Sequence, residues 1–130
     1  MLDFVNLALV ATGGIAGGVL RYFISGMVAR RIGETFPWGT MVVNGSGAFG
    51  LGILAAAMGN AGIGDTIWIT AAVGVFGSYT TVSSFSLQTL ALARDGEWLP
   101  ATFNILGSLA LCLGTAFVGY LAGGALWGGP

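Results

Sequence analysis

The stretch Val73-Gly-Val-Phe-Gly-Ser-Tyr-Thr-Thr-Val-Ser-Ser-Phe-Ser86 interrupts the third of four long apolar runs that occupy most of this chain. Glycine and hydroxyl residues are concentrated there, in a run that is otherwise long enough to cross a bilayer. Lipid offers no hydrogen-bond partner to an unpaired backbone group. We therefore predict a break in the third helix, bracketed by Gly77 and Thr80, that faces protein, water or a bound ion.

The composition on either side of this stretch indicates a membrane protein. The mean hydropathy is +0.89, and 7% of the residues are charged, against about 25% in a typical soluble domain. We predict an all-α integral membrane protein with one domain, residues 1–130, and transmembrane helices at about 4–28, 38–58, 66–93 and 99–121. A cleaved signal peptide is the alternative for the first run, but a positively charged segment before it is lacking.

Several classes of function are excluded by the residues that the chain lacks. Histidine is absent and Cys112 is the single cysteine, which excludes a disulfide framework and a His/Cys metal site. Without a basic patch, nucleic acid is not expected as a partner. No cluster of nucleophiles or carboxylates lies inside the apolar runs, so an enzyme is not expected.

Two polar side chains inside the apolar runs each allow two interpretations. Asn44 lies in the middle of the second run, one helical turn after Thr40. Its amide either makes a packing bond between helices or directs a donor into a pore. Arg21, near the end of the first run, either extends to the membrane interface or has a specific role, in which its guanidinium ties the helix to backbone carbonyls or draws anions towards a vestibule.

The third and fourth runs carry further polar residues at helical spacing. Asn104, Ser108 and Cys112 follow one another at intervals of four, which predicts a hydrogen-bonding track along one helix face. At the break, unwinding would free carbonyl oxygens, which suit a hard cation such as Na⁺.

Together these features resemble the CrcB/Fluc family of fluoride channels over the whole chain. The resemblance implies an antiparallel, dual-topology homodimer in the bacterial inner membrane, with two pores that are each built from both subunits. Passive export through these pores would lower cytoplasmic fluoride. The motifs that carry the resemblance are Gly13-Gly14, Gly17, Arg21-Tyr22, Trp38-Gly-Thr40, Val43-Asn44 and Gly77-Ser-Tyr-Thr-Thr-Val-Ser-Ser-Phe-Ser86.

The resemblance also implies roles for individual residues. A structural Na⁺ that is not transported would be held at the dimer centre by the backbone oxygens of Gly77 and Thr80. Arg21 would lie in the vestibule region. The pore positions that carry over are Asn44, Phe85, Ser108 and Val82, with Thr40 and Ser84 on a polar track.

The chain departs from the family pattern at four positions. Val82 stands where the family has a phenylalanine, so this side chain has no ring edge to offer to an anion. Gln88 replaces a glutamate, Asn104 a tyrosine and Cys112 a hydroxyl residue.

The distribution of arginines leaves the identity of the second subunit open. Three of the four arginines, Arg30, Arg31 and Arg94, lie in the first and third connections, which are predicted to be on the same side of the membrane. The connection predicted on the opposite side contains no arginine or lysine. A dual-topology protein should show little such bias. A heterodimer with an oppositely oriented homologue is therefore an alternative to the homodimer, which we favour.

Two other classes of function compete with a fluoride channel. A small multidrug-resistance transporter also has four spans, but it needs a glutamate in its first span, and this chain has none there. An accessory membrane subunit without transport of its own is the second alternative.

Overall fold

The computed structural model describes residues 3–128, so both ends of the predicted domain 1–130 lie outside the described part. These residues form helices joined by short turns, and no strand occurs among them. The elements are α1 (Phe4–Ile32), α2 (Trp38–Asn60), α3 (Asp65–Trp68), a π-helix (Ile69–Phe76), α4 (Gly77–Tyr79), α5 (Val82–Arg94) and α6 (Trp98–Leu126). The predicted all-α class is confirmed.

Three of these helices, α1, α2 and α6, are long and apolar enough to cross a membrane. They have 29, 23 and 29 residues, and each extends beyond the corresponding predicted span. The residues of the third predicted span are divided among α3, the π-helix, α4 and α5. Thr80 and Thr81, between α4 and α5, have extended backbone conformations.

The helix ends follow local capping rules. The side chain of Asp3 accepts a hydrogen bond from the Asn6 backbone N–H at 2.7 Å and so caps the start of α1. At the other end of α1, Gly33 has a φ of 96°, a conformation that glycine adopts without steric cost. Thr81 caps α5 by accepting a hydrogen bond from the Ser84 N–H at 3.1 Å.

The centre of the molecule lies along α2, which packs closely on α6. Val43 and Ala56 of α2 are completely buried. A Cβ atom at Gly52 would overlap the Ala116 carbonyl of α6, and one at Gly119 would overlap the Phe49 carbonyl of α2. Small residues therefore bring these two backbones together, as is usual where lipid removes the hydrophobic driving force.

The π-helix packs against α1 by the same means. A Cβ at Gly13 would lie 2.5 Å from the Thr70 carbonyl oxygen, and one at Gly17 would overlap the Val75 carbonyl. This backbone contact fixes the first half of the third run, and so determines where the chain reaches Thr80.

Candidate functional site

The extended residues Thr80 and Thr81 form the centre of the candidate site. Their backbone dihedrals are φ −79°, ψ 157° and φ −147°, ψ 122°. Thr80 N–H donates to the Phe76 carbonyl at 3.0 Å, and the Thr80 carbonyl accepts from Arg21 Nη1 at 3.4 Å. Thr81 N–H donates to Asn44 Oδ1 at 2.7 Å, and the Thr81 carbonyl accepts from Asn44 Nδ2 at 2.9 Å. All four backbone polar groups are thus paired within one chain, as membrane depth requires.

Asn44 therefore makes a two-point contact with the extended backbone. In a continuous α-helix, the Thr81 N–H would bond the Gly77 carbonyl, but here it bonds the Asn44 amide oxygen. The amide nitrogen carries two hydrogens, and one of them is used on Thr81. The other is available to a further acceptor.

Two cavities share polar lining residues. The outer cavity, about 670 Å³, lies between the end of α1, the α1–α2 turn and α5. The middle cavity, about 210 Å³, is lined by Arg21 and Thr81. Thr40 and Ser84 line both cavities. The structure thus brings together Arg21, Thr40 and Ser84 of the predicted site.

A third cavity, the inner cavity of about 360 Å³, is lined by Asn44, Gly77, Thr80 and Val82. Thr81 lines it as well as the middle cavity. Cys112 of α6 also faces this space. The predicted cation ligands and two of the predicted pore residues are therefore neighbours.

Ser108 and Phe85 line none of these three cavities. Ser108 is buried, and its hydroxyl donates to Asn104 Oδ1 at 3.4 Å. Asn104 Nδ2 donates to Thr89 Oγ1 at 2.9 Å, and Thr89 Oγ1 donates to the Phe85 carbonyl at 2.7 Å. The predicted track on α6 is thus hydrogen-bonded between Asn104 and Ser108 and does not include Cys112.

Charge and hydrogen bonding differ between the cavities. Carboxylates line only the outer cavity, at Glu34, Asp95 and Glu97. The middle cavity has the Arg21 guanidinium and several hydroxyls. Gln88 lines the outer cavity, and its Oε1 is buried without a hydrogen-bond partner among residues 3–128.

Sequence reasoning missed three residues that organise the site. Thr81 was detectable as a helix N-cap just before Val82. Thr89 lies one turn after Phe85, but nothing in the sequence pairs it with Asn104. Tyr79 of α4 bonds Ser46 of α2, with 2.8 Å between the two hydroxyl oxygens, and no pattern predicts this long-range pair.

Three apolar helices of membrane-spanning length, with the extended backbone of Thr80 and Thr81 paired inside the bundle, define a multi-pass α-helical membrane protein. The chain belongs to the CrcB family. The family model described as "CrcB-like protein, Camphor Resistance (CrcB)" matches residues 8–120.

Relatives with similar sequences are named as fluoride-specific ion channels. A protein of Rhodopseudomonas palustris (strain BisB18) named "Fluoride-specific ion channel FluC 2" is 54% identical over 120 residues, covering 90% of this chain and 92% of the relative. A protein of the same name from Bradyrhizobium diazoefficiens is 51% identical over 122 residues, covering 92% and 89%. A "Fluoride-specific ion channel FluC" of Opitutus terrae is 49% identical over 116 residues, covering 87% and 88%.

Proposed function

We propose that this protein is a passive, fluoride-selective channel of the bacterial inner membrane that exports fluoride. The names of its relatives support this function. The observation that carries the proposal is the set of uncharged donors next to the break. Thr40 and Ser84 line the middle cavity together with Arg21, and Asn44 lines the inner cavity.

These donors suit the chemistry of fluoride. A small anion that holds water tightly passes only where donors replace its hydration step by step. The hydroxyls of Thr40 and Ser84 can donate, as can the second amide hydrogen of Asn44. The Arg21 guanidinium makes the middle cavity attractive to an anion, whereas a proton-coupled cation carrier would need a carboxylate there.

The proposed path also includes Phe85 and Ser108, which line none of the three cavities. The positive edge of the Phe85 ring can face an anion. The Ser108 hydroxyl bonds Asn104 at 3.4 Å, which is long for an O–H···O hydrogen bond. Fluoride, a stronger acceptor, would compete for this hydrogen.

We further propose that two copies assemble antiparallel, with dual topology, and build two pores between them. Val82 lines the inner cavity and is 77% exposed in the single chain. A second copy would cover this surface and close the path. A paired homologue could supply the aromatic ring that Val82 lacks, but a homodimer needs no second gene product.

A structural Na⁺ fits the residues at the break. The Asn44 amide takes the Thr81 N–H that would otherwise bond the Gly77 carbonyl. The Thr80 carbonyl has its contact with Arg21 and a second lone pair. Carbonyl oxygens are hard ligands, and two copies would supply four of them from Gly77 and Thr80. When bound, the cation would neutralise the carbonyl dipoles at the seam between subunits.

Transport would need no energy source besides the membrane potential. An inside-negative potential favours anion exit by about 2.3 kcal/mol per charge per 100 mV.

Purified protein in liposomes tests the proposal, with a fluoride electrode and a chloride electrode recording efflux. We expect rapid fluoride efflux, with chloride efflux no faster than from protein-free liposomes. Equal fluxes of both anions would refute the selectivity, and the absence of fluoride flux would favour an accessory subunit. Dye efflux driven by a pH gradient would instead indicate a multidrug transporter.

Replacing Na⁺ with N-methylglucamine tests the cation site. We expect a lower melting temperature of the purified protein and slower fluoride efflux. Identical melting in both cations would contradict a structural Na⁺.

A further inference from the structure

Asn104 of α6 has a buried amide that is not accounted for by the proposed pore. The residue is 2% exposed. Its Nδ2 donates to Thr89 Oγ1 of α5 at 2.9 Å, and its Oδ1 accepts from Ser108 Oγ of α6 at 3.4 Å. The side chain therefore links α5 to the residue of α6 that the pore proposal uses.

The direction of these hydrogen bonds is defined by Thr89. Its hydroxyl carries one hydrogen, which it donates to the Phe85 carbonyl at 2.7 Å. Towards Asn104, Thr89 can only accept, so the N–H₂ end of the amide faces α5 and the oxygen faces Ser108. The resulting chain of donors runs from Asn104 through Thr89 to the Phe85 backbone, and such chains strengthen their members.

Hydrogen bonds fix α5 at its start and in its middle, and near its end the side chain of Leu92 is buried. The helix is held at its start by Thr81, whose backbone bonds Asn44. The side chains of Val82 and Leu87 are largely exposed. Apolar packing such as that of Leu92 is non-directional, so a hydrogen bond in the middle of α5 adds a directional restraint on the rotation of the helix. The Asn104–Thr89 bond, about two turns after Thr81, provides that restraint.

We propose that Asn104 is a positioning residue that fixes the rotation of α5 on α6. Through α5 it sets the direction of the Phe85 ring, and through its oxygen it orients the Ser108 hydroxyl. The inference rests on the proposed function, because Phe85 and Ser108 matter only if an anion passes between them. Loss of the amide would let α5 move outward, widen the path and weaken the exclusion of chloride.

Thr89→Val and Asn104→Leu, with the double variant, test this role in the full-length protein. Thr89→Val removes the acceptor and preserves the volume, so it also serves if Asn104→Leu does not fold. Hydrogen–deuterium exchange of residues 82–94 reports the attachment of α5, and the chloride-to-fluoride flux ratio in liposomes reports the path. We expect each single variant to raise both quantities at least tenfold, and the double variant to exceed neither single variant.

Two matched variants separate positioning from general stability. Thr89→Ser keeps the hydroxyl and should behave as the wild type. Thr115→Val removes a comparable bond of α6, from Thr115 Oγ1 to the Gly45 carbonyl at 2.9 Å. It should leave the α5 exchange rate and the flux ratio unchanged, even if the melting temperature falls.

The proposal is overturned if Thr89→Val leaves either the α5 exchange rate or the flux ratio at the wild-type value. Additive effects in the double variant, or the same ratio change in Thr115→Val, would also overturn it. A wild-type protein without fluoride flux would refute the proposed function instead, and α5 exchange would then test the attachment by Asn104 on its own.

Discussion

The π-helix Ile69–Phe76 contacts α1 through backbone atoms, whereas α5, which follows the extended residues Thr80 and Thr81, is tied to its neighbours by two asparagine amides. Gly13 and Gly17 allow the first contact, because any side chain there would overlap a carbonyl of the π-helix. Asn44 and Asn104 make the second attachment through hydrogen bonds. The two halves of one apolar run are thus positioned by different interactions.

This difference indicates which half of the third apolar run can shift in position. The π-helix is the rigid half, and α5 is the adjustable half. Close-packed backbones resist displacement, since even small overlaps are costly. A helix held by a few directional bonds can shift when one of them changes. The proposed pore residues Ser84 and Phe85 lie on the adjustable half, and the proposed cation ligand Gly77 directly follows the rigid half. Four substitutions test the comparison, beginning with the largest expected effect.

Gly17→Leu should disrupt the rigid half, because its side chain would overlap the Val75 carbonyl. We expect a loss of at least about 3 kcal/mol in the free energy of unfolding, or no folded protein. Thermal unfolding and size-exclusion chromatography in detergent measure the effect. Gly14→Leu is the matched control, since a Cβ there would meet nothing within 4 Å. Equal melting of the two variants would contradict the rigid contact.

Asn44→Asp should abolish fluoride efflux from liposomes. The carboxylate keeps the acceptor for the Thr81 N–H, loses the donor to the Thr81 carbonyl and repels the anion. Repulsion between two like charges about 4 Å apart is about 4 kcal/mol at an effective dielectric constant of about 20, so we expect a rate at least about 100-fold lower. Asn60→Asp, at the exposed end of α2, should have no such effect. Unchanged efflux in Asn44→Asp would remove Asn44 from the pore.

Tyr79→Phe should weaken the link between α4 and α2, because the phenol no longer bonds Ser46. We expect the free energy of unfolding to fall by about 1 kcal/mol. A double-mutant cycle with Ser46→Ala isolates the pair, and Tyr120→Phe, at a half-exposed position, is the control. A coupling energy near zero would show that the hydrogen bond does not contribute.

Val82→Phe should raise the fluoride transport rate about threefold, taking a ring-edge contact to be worth about 0.7 kcal/mol. Unfolding should change by less than about 0.5 kcal/mol, because the position is exposed. Leu87→Phe, also exposed on α5 but outside the three cavities, should leave the rate unchanged. If Val82→Phe leaves rate and selectivity unchanged, this side chain does not line the path.

The sequence predicted the helical class and the apolar runs because both depend on local composition and hydropathy. The i, i+4 spacing of Asn104 and Ser108 predicted their bond for the same reason. The partners of Asn44 and Tyr79 could not be predicted, since each bond joins residues more than 30 positions apart. The π-helix was missed as well, because it packs against Gly13 and Gly17 of α1, a long-range contact that local hydropathy does not reveal.

The pairing of the Thr80 and Thr81 backbone has a consequence for biosynthesis. Arg21 and Asn44, whose side chains form hydrogen bonds with this backbone, precede it in the chain. They have therefore left the ribosome before the third run emerges. A nascent polypeptide can accommodate its unwound residues in the bilayer at once, without waiting for a second molecule to arrive.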